Sequence, residues 1–85
     1  MFYVYLLKSV KNGSLYVGCT SDPKRRISEH NENKSYYTKR YSPWKLIYFE
    51  GYTSMEDAYS REHALKLHKQ GIRRLKERLR KSLLV

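Results

Sequence analysis

An 85-residue chain with 40% hydrophobic residues has material for one domain with one small core. Its formal net charge of +10, from 18 Lys+Arg against 8 Asp+Glu, points to a polyanionic partner and makes nucleic acid the first candidate. The single cysteine excludes an intramolecular disulfide and argues against a cysteine zinc site, and no apolar run approaches a membrane span.

MFYVYLLKS at the N-terminus lacks the basic segment and cleavage site of a signal peptide, so the expectation is a cytoplasmic chain. No helix pairs a broad apolar face with its basic face, which makes a membrane surface the weaker partner.

The first predicted element is a strand, Phe2–Ser9, apolar on both alternating faces and so expected at the centre of a sheet. Asn12-Gly13 predicts a two-residue type I′ turn, with residues 14–19 as the return strand. That register sets Lys11 opposite Ser14, Leu7 opposite Gly18 and Tyr5 opposite Thr20. Tyr5, Leu7, Ser9, Tyr16, Gly18 and Thr20 then project to one side. SDPKRRISEHNENK opens with helix chemistry, Asp22 as cap and Pro23 in the first turn. Residues 35–43, SYYTKRYSP, form a polar, aromatic and basic loop. Trp44–Tyr52 is a third strand, with Trp44, Leu46 and Tyr48 predicted on one face and Ile47 and Phe49 on the other. TSMEDAYSREHALKLHK is a second helix, opened by Ser54 with Asp57 in a capping-box pattern and ended at Gly71. IRRLKERLRKSLLV is a third, with Ile72, Leu75 and Leu79 on one stripe. The order β-β-α-β-α-α specifies a small α+β domain over residues 1–85.

Chemistry-bearing residues stand where core residues are expected. Gly18 lies between Tyr16 and Thr20 on a face with two phenols; it leaves a hollow there or simply ends the strand. Pro23, Arg26, Ile27, His30 and Asn31 share one face of the first helix, yet only Ile27 is strongly apolar. Either that face is solvated or it looks onto a polar cleft. On the second helix Met55, Ala58, Tyr59, Glu62 and Leu65 form a stripe with a carboxylate in its middle. A buried carboxylate needs a partner. Glu62 is read either as the structural partner of Arg26 or as a Mg²⁺ ligand completed by water and substrate phosphate. Glu29, Glu32 and Glu50 are assigned to solvent faces or element ends. Two phenols, an arginine, a histidine and one buried carboxylate are a kit for phosphodiester hydrolysis. The same cluster also fits a buried hydrogen-bond network with no chemistry.

In this order and spacing the residues resemble the GIY-YIG nucleases. The first motif reads Tyr3-Val4-Tyr5 and the second Tyr16-Val17-Gly18. Arg26 follows Gly18 by eight positions, His30 with Asn31 comes one helical turn later, and Glu62 lies inside AYSREHALK. The resemblance covers residues 2–69, in particular to small stand-alone bacterial members. SLYVG…RR…EHN…PWKLIYFE…REHALK is also similar to the nuclease subunit of endonucleases that cut branched DNA.

This resemblance implies a three-stranded antiparallel sheet flanked by helices. It also implies a DNA endonuclease with a single Mg²⁺ or Mn²⁺ site, structure-selective or weakly sequence-selective, acting in repair or recombination. The implied roles put Tyr5 and Tyr16 around the attacking water, Arg26 on the scissile phosphate, His30 in support and Glu62 on the metal, with Gly18 structural. Two departures stand out: YVY replaces GIY, and Cys19 replaces a lysine that many repair members carry. On the register above Cys19 points away from the site, as a buried thiol.

Nine of the 18 basic residues lie within residues 61–81, against Glu62 and Glu77. A basic helix over residues 72–82 offers Arg73, Arg74, Lys76 and Arg78 to phosphates without reading sequence, or is a solvated face over its apolar stripe. The loop sets Lys39 and Arg40 among Tyr36, Tyr37 and Tyr41, a pattern suited to unpaired bases or to a plain polar connection. His63 and His68 are expected in solvent with no role. Most characterised members of the family it resembles carry a separate DNA-binding domain, so a protein partner supplying substrate binding is expected. The alternative function is a non-catalytic nucleic-acid-binding module or partner subunit.

Overall fold

The computed structural model describes residues 1–32 and 38–84. Strands β1 (Phe2–Ser9), β2 (Leu15–Thr20) and β3 (Trp44–Tyr52) form an antiparallel sheet in the order β2-β1-β3. Helices α1 (Pro23–Asn31), α2 (Met55–Leu67) and α3 (Lys69–Arg78) flank it, with short 3-10 turns at Lys39–Tyr41 and Ser82–Leu84. The expected element order is present, and β1 is central because both its faces are apolar. Val4 and Leu6 point one way, Tyr5 and Leu7 the other, and all four are buried.

Each face of β1 founds its own core. Val4, Leu6 and Val17 pack with Ala58 and Leu65 of α2 and Leu75 of α3, flanked by Ile72 and Leu79. On the other face Tyr5, Leu7 and Trp44 pack with Tyr16, Leu46 and Ile27 of α1. The sheet therefore separates α1 from the α2/α3 layer.

The hairpin differs from its predicted register. Leu7 stands opposite Tyr16, Tyr5 opposite Gly18 and Tyr3 opposite Thr20. The connection is four residues, 10–13, because Ser9 organises it. Its Oγ accepts from the backbone N–H groups of Lys11 and Asn12 at 3.1 and 3.2 Å, and its carbonyl accepts from Gly13 N at 2.9 Å. Gly13 supplies the left-handed conformation that ends the loop, φ 78°. The shift is by two residues, so the predicted set of side chains still shares one face. Gly18 answers the close approach of Tyr5: a Cβ at this position would overlap the Tyr5 hydroxyl and ring.

In β3 the strict alternation fails at one point. Leu46 pairs with Leu7 and Tyr48 with Leu6, which leaves Ile47 as a bulge residue. Trp44 and Leu46 share one face as predicted, the Tyr5 face. Tyr48 is turned to the α2 face, and Phe49 meets Tyr3 on the other, ring centroids 5.8 Å apart.

Local helix signals act as read. Asp22 Oδ1 accepts from Arg25 N at 3.2 Å with Pro23 behind it, and Ser54 Oγ accepts from Asp57 N at 3.4 Å. The second and third helices, however, divide at His68 (φ −112°, ψ 109°), and Gly71 lies inside α3. A straight continuation of α2 would carry Leu75 about 15 Å beyond Leu65; the break returns Leu75 to the same core. Met55 and Tyr59 are exposed, because α2 buries Ala58 and Leu65 instead of the wider stripe. α3 ends at Arg78 rather than reaching residue 82.

Candidate active site

Tyr5 is fixed by its place on the central strand, and its ring crosses β2 at Gly18 beside Tyr16, ring centroids 6.4 Å apart. α1 lies over this face. His30 is fully buried, with Nε2 3.0 Å from the Tyr5 hydroxyl and Nδ1 2.6 Å from Thr38 Oγ1. Tyr16 meets the edge of His30 at 5.0 Å and Trp44 at 6.1 Å between centroids. The indole Nε1 of Trp44 donates to the Thr38 carbonyl at 2.7 Å. Asn31 clamps the start of β3: its Nδ2 donates to the Trp44 carbonyl and its Oδ1 accepts from Trp44 N. The polar stripe of α1 is thus an inward face, with Arg26 half-buried at its rim.

Burial, with a smaller push from the Arg26 cation, lowers the His30 pKa to about 4, so the imidazole is neutral at pH 7. Burial, reinforced by Tyr16, raises Tyr5 to about 12; Arg26 at its hydroxyl pulls the other way. Burial opposes the charge of Arg26, but hydrogen bonds with Glu29 and Tyr5 hold its pKa above the ordinary value. With Arg26 donating to the Tyr5 oxygen, the phenol hydrogen is directed at Nε2, and the Nδ1–H tautomer then donates to Thr38.

An acid-side instability follows. The unfolded chain takes up a proton on His30 near pH 6.5 and the folded one only near pH 4, so stability is full above 6.5 and falls between these values as pH drops. The expected loss is about 3 kcal/mol. Urea unfolding across this window, with the His30 ring carbons followed by NMR, checks it; a ring that becomes charged near pH 6.5 contradicts it.

Glu62 comes from the other layer. Its side chain is 17% exposed and its Oε2 lies 3.1 Å from Lys66 Nζ, which itself stands 5.8 Å from the Tyr16 ring centroid. After burial, its charge adds to the upward pKa shifts of both Tyr5 and Cys19, which lie on opposite faces of the sheet. One of the two readings of Glu62, a structural pair with Arg26, is not what forms: Glu62 pairs with Lys66, and Arg26 Nη1 lies 3.3 Å from Glu29. Tyr5, Tyr16, Arg26 and His30 meet on one face of the sheet, and Lys66 ties Glu62 to that group through the Tyr16 ring. Cys19 stands opposite Val4 and packs into the α2/α3 core as expected, where burial raises its thiol pKa.

Sequence reasoning missed three participants. Thr38 is buried and anchors His30, but it reads as a loop residue. Lys66 is one helical turn from Glu62, a spacing that signals a pair, yet it is hidden in a run of basic residues. Glu50, assigned to a solvent face, is instead a half-buried hub. It takes Arg61 Nε at 2.8 Å and Nη2 at 2.9 Å, and the Tyr48 and Tyr52 hydroxyls at 2.6 and 2.7 Å. The bulge at Ile47 turns all three β3 residues toward α2. Burial opposes the Glu50 charge, but Arg61 and the two hydroxyls hold its pKa near 2.

Lys39 and Arg40 are exposed in the 3-10 turn, while Tyr36 and Tyr37 lie outside the described residues. Arg73, Arg74, Lys76 and Arg78 are exposed on α3, across the sheet from His30. They do not form one stripe: Arg74 and Arg78 face Arg61, and Lys76 faces Lys8 and the hairpin. His63 and His68 are exposed as expected. Among the described residues no three His, Cys, Asp or Glu converge to hold a metal, and no helix is long and apolar enough to cross a membrane.

The model of the GIY-YIG catalytic domain matches residues 1–78. A UPF0213 protein of Streptococcus pneumoniae is 44% identical over 69 residues, covering 80% of this chain and 69% of its own length. A UPF0213 protein of Clostridium perfringens is 43% identical over 67 residues, 78% of this chain and 71% of its own. The solution NMR structure of a UPF0213 protein from Bacillus halodurans superposes with a TM-score of 0.56 at 35% identity, covering 91% of this chain and 84% of that one.

Proposed function

The chain belongs to the GIY-YIG family, and on that premise we propose that it is a metal-dependent endonuclease that hydrolyses DNA phosphodiester bonds. The observation that supports this most is the pair of phenols beside Gly18, with the Tyr5 hydroxyl held by a buried neutral histidine and by Arg26, and with Glu62 tied to the Tyr16 ring through Lys66. Residues 1–85 act as one domain in the cytoplasm. Its substrate is branched or partly single-stranded DNA, as in repair or recombination, with a protein partner contributing to substrate binding.

The donor set fits a magnesium or manganese ion that keeps most of its water, since among the described residues no cluster of three ligands surrounds Glu62 and such ions accept one carboxylate plus phosphate. When bound, the ion supplies Lewis-acid stabilisation of the leaving oxygen. Glu62 must leave Lys66 to hold it. The Lys66 side chain is 46% exposed, so water can take its charge when it is released. Arg26 is a permanent cation at the rim and neutralises the charge that gathers on the phosphate. Tyr5 keeps its proton at neutral pH and serves as a hydrogen-bond donor held by His30. Tyr16 is half-buried beside Lys66 and is the phenol that faces incoming water.

The test is nicking of branched and flapped DNA with Mg²⁺ or Mn²⁺ by the protein and by Glu62→Ala. The variant is expected to lose at least about 10²-fold in rate, and equal cleavage by the two sinks the assignment. The capture of Glu62 by Lys66 favours one other reading, a nucleic-acid-binding module without turnover. Salt-dependent binding with no cleavage under either metal would decide for it.

A further inference from the structure

Across the sheet from the cleft, Arg61, Gly71, Arg74, Leu75 and Arg78 line a cavity of about 230 Å³. Three guanidiniums around one hollow on so small a body need an explanation. Arg61 is the fixed member. Glu50 grips two of its N–H groups, and the Tyr48 and Tyr52 hydroxyls hold Glu50 in turn, so the side chain has little freedom and its charge is compensated. Arg74 and Arg78 are a different case. They stand four positions apart on α3, a spacing at which like charges repel. Among the described residues neither has an ion-pair partner. Burial and Glu50 raise the Tyr48 pKa, and Arg78 lies near enough to pull against that rise beside Arg61.

We propose that Arg61, Arg74 and Arg78 form a phosphate-binding subsite. Guanidiniums match phosphate oxygens in a paired, planar geometry, and the hollow has room for one tetrahedral oxyanion with several waters at about 30 Å³ each. The phosphate it takes is a backbone phosphate of nucleic acid, an identity that rests on the nuclease reading above. The sheet lies between this subsite and His30, so the segment held here is not the one entering the cleft. A second arm of a branched molecule supplies it. The assignment also divides the basic residues of α3: Arg74 and Arg78 belong to the subsite, whereas Arg73 does not line it.

Two measurements on the full chain test this without turnover, so their failure is separate from failure of the nuclease reading. In the first, inorganic phosphate is titrated in metal-free buffer while arginine Nε–Hε resonances are followed by NMR. Saturable shifts at Arg61, Arg74 and Arg78 are expected, with binding about tenfold weaker in Arg74→Gln. Uniform, non-saturating drift at every arginine overturns the subsite. In the second, binding of a branched DNA is measured against salt. The Arg74→Gln/Arg78→Gln pair is expected to lower the slope of log affinity on log salt by about 2. The charge-matched Arg73→Gln/Arg80→Gln pair should lower it by less than half as much. Equal losses reduce the effect to net charge and overturn the subsite; no loss in the first pair overturns nucleic acid as the phosphate source. All four arginines are exposed, so unchanged thermal midpoints are expected and show that the variants fold.

Discussion

For the nuclease activity proposed above, Arg26→Gln is expected to lower the rate of DNA cleavage by about 10²- to 10³-fold, the scale set by removing one preorganised charge donor from a developing oxyanion. Arg26 is the half-buried cation on the inward face of α1, held by Glu29 on one side and Tyr5 on the other. Arg26→Lys recovers only part of the rate, because an ammonium lacks the planar fork that can bond Tyr5 and a phosphate together. A second readout separates this role from a purely structural one. The Arg26 cation helps to hold the His30 pKa down, after burial, so its loss moves the titration of His30 upward from about 4. Unchanged cleavage together with an unmoved His30 titration would remove Arg26 from the site.

Glu50→Ala destabilises the fold by about 3–5 kcal/mol, because it leaves a part-buried guanidinium and two phenol hydroxyls without their shared acceptor. In a small domain whose whole stability is about 5–15 kcal/mol, that is a large share. The dependence on pH has a definite sign. The folded pKa of about 2 lies below the ordinary value of 4.5, so the contribution is complete above 4.5 and disappears as pH falls toward 2. Urea midpoints of Glu50→Ala and Glu50→Gln at pH 7 and pH 3 measure it. Glutamine keeps an acceptor for the hydroxyls but not the ion pair, so it should recover part of the loss. Coincident midpoints for wild type and both variants would show that the hub adds nothing.

What could be read from the chain alone was what neighbours in sequence determine. Asp22 followed by Pro23 starts a helix wherever it stands, and a strand apolar on both faces belongs in the middle of a sheet. Arg26 and His30 were legible for the same reason: charge on a face that should be apolar is a local anomaly. The misreadings arise where a distant partner decides. Ile47 is a bulge only because β1 pairs on either side of it, and that one extra residue carries Tyr48, Glu50 and Tyr52 to the α2 face. His68 breaks the helix because Leu75 has to reach the core that Leu65 already fills. Thr38 acquires its role from a ring eight residues earlier and an indole six residues later, and nothing in its own surroundings marks it.

The four-residue turn closed by Gly13 bears on how this hairpin can vary in length. Side chains on a strand alternate, so lengthening or shortening the loop by two residues leaves Tyr16 and Gly18 under α1 and slides them along β1. A change of one residue would instead rotate Tyr16 beneath α2 and bring Val17 opposite His30, exchanging the two layers' contents at a stroke. The hairpin can drift in even steps and is barred from odd ones, unless a compensating bulge such as that at Ile47 restores the count.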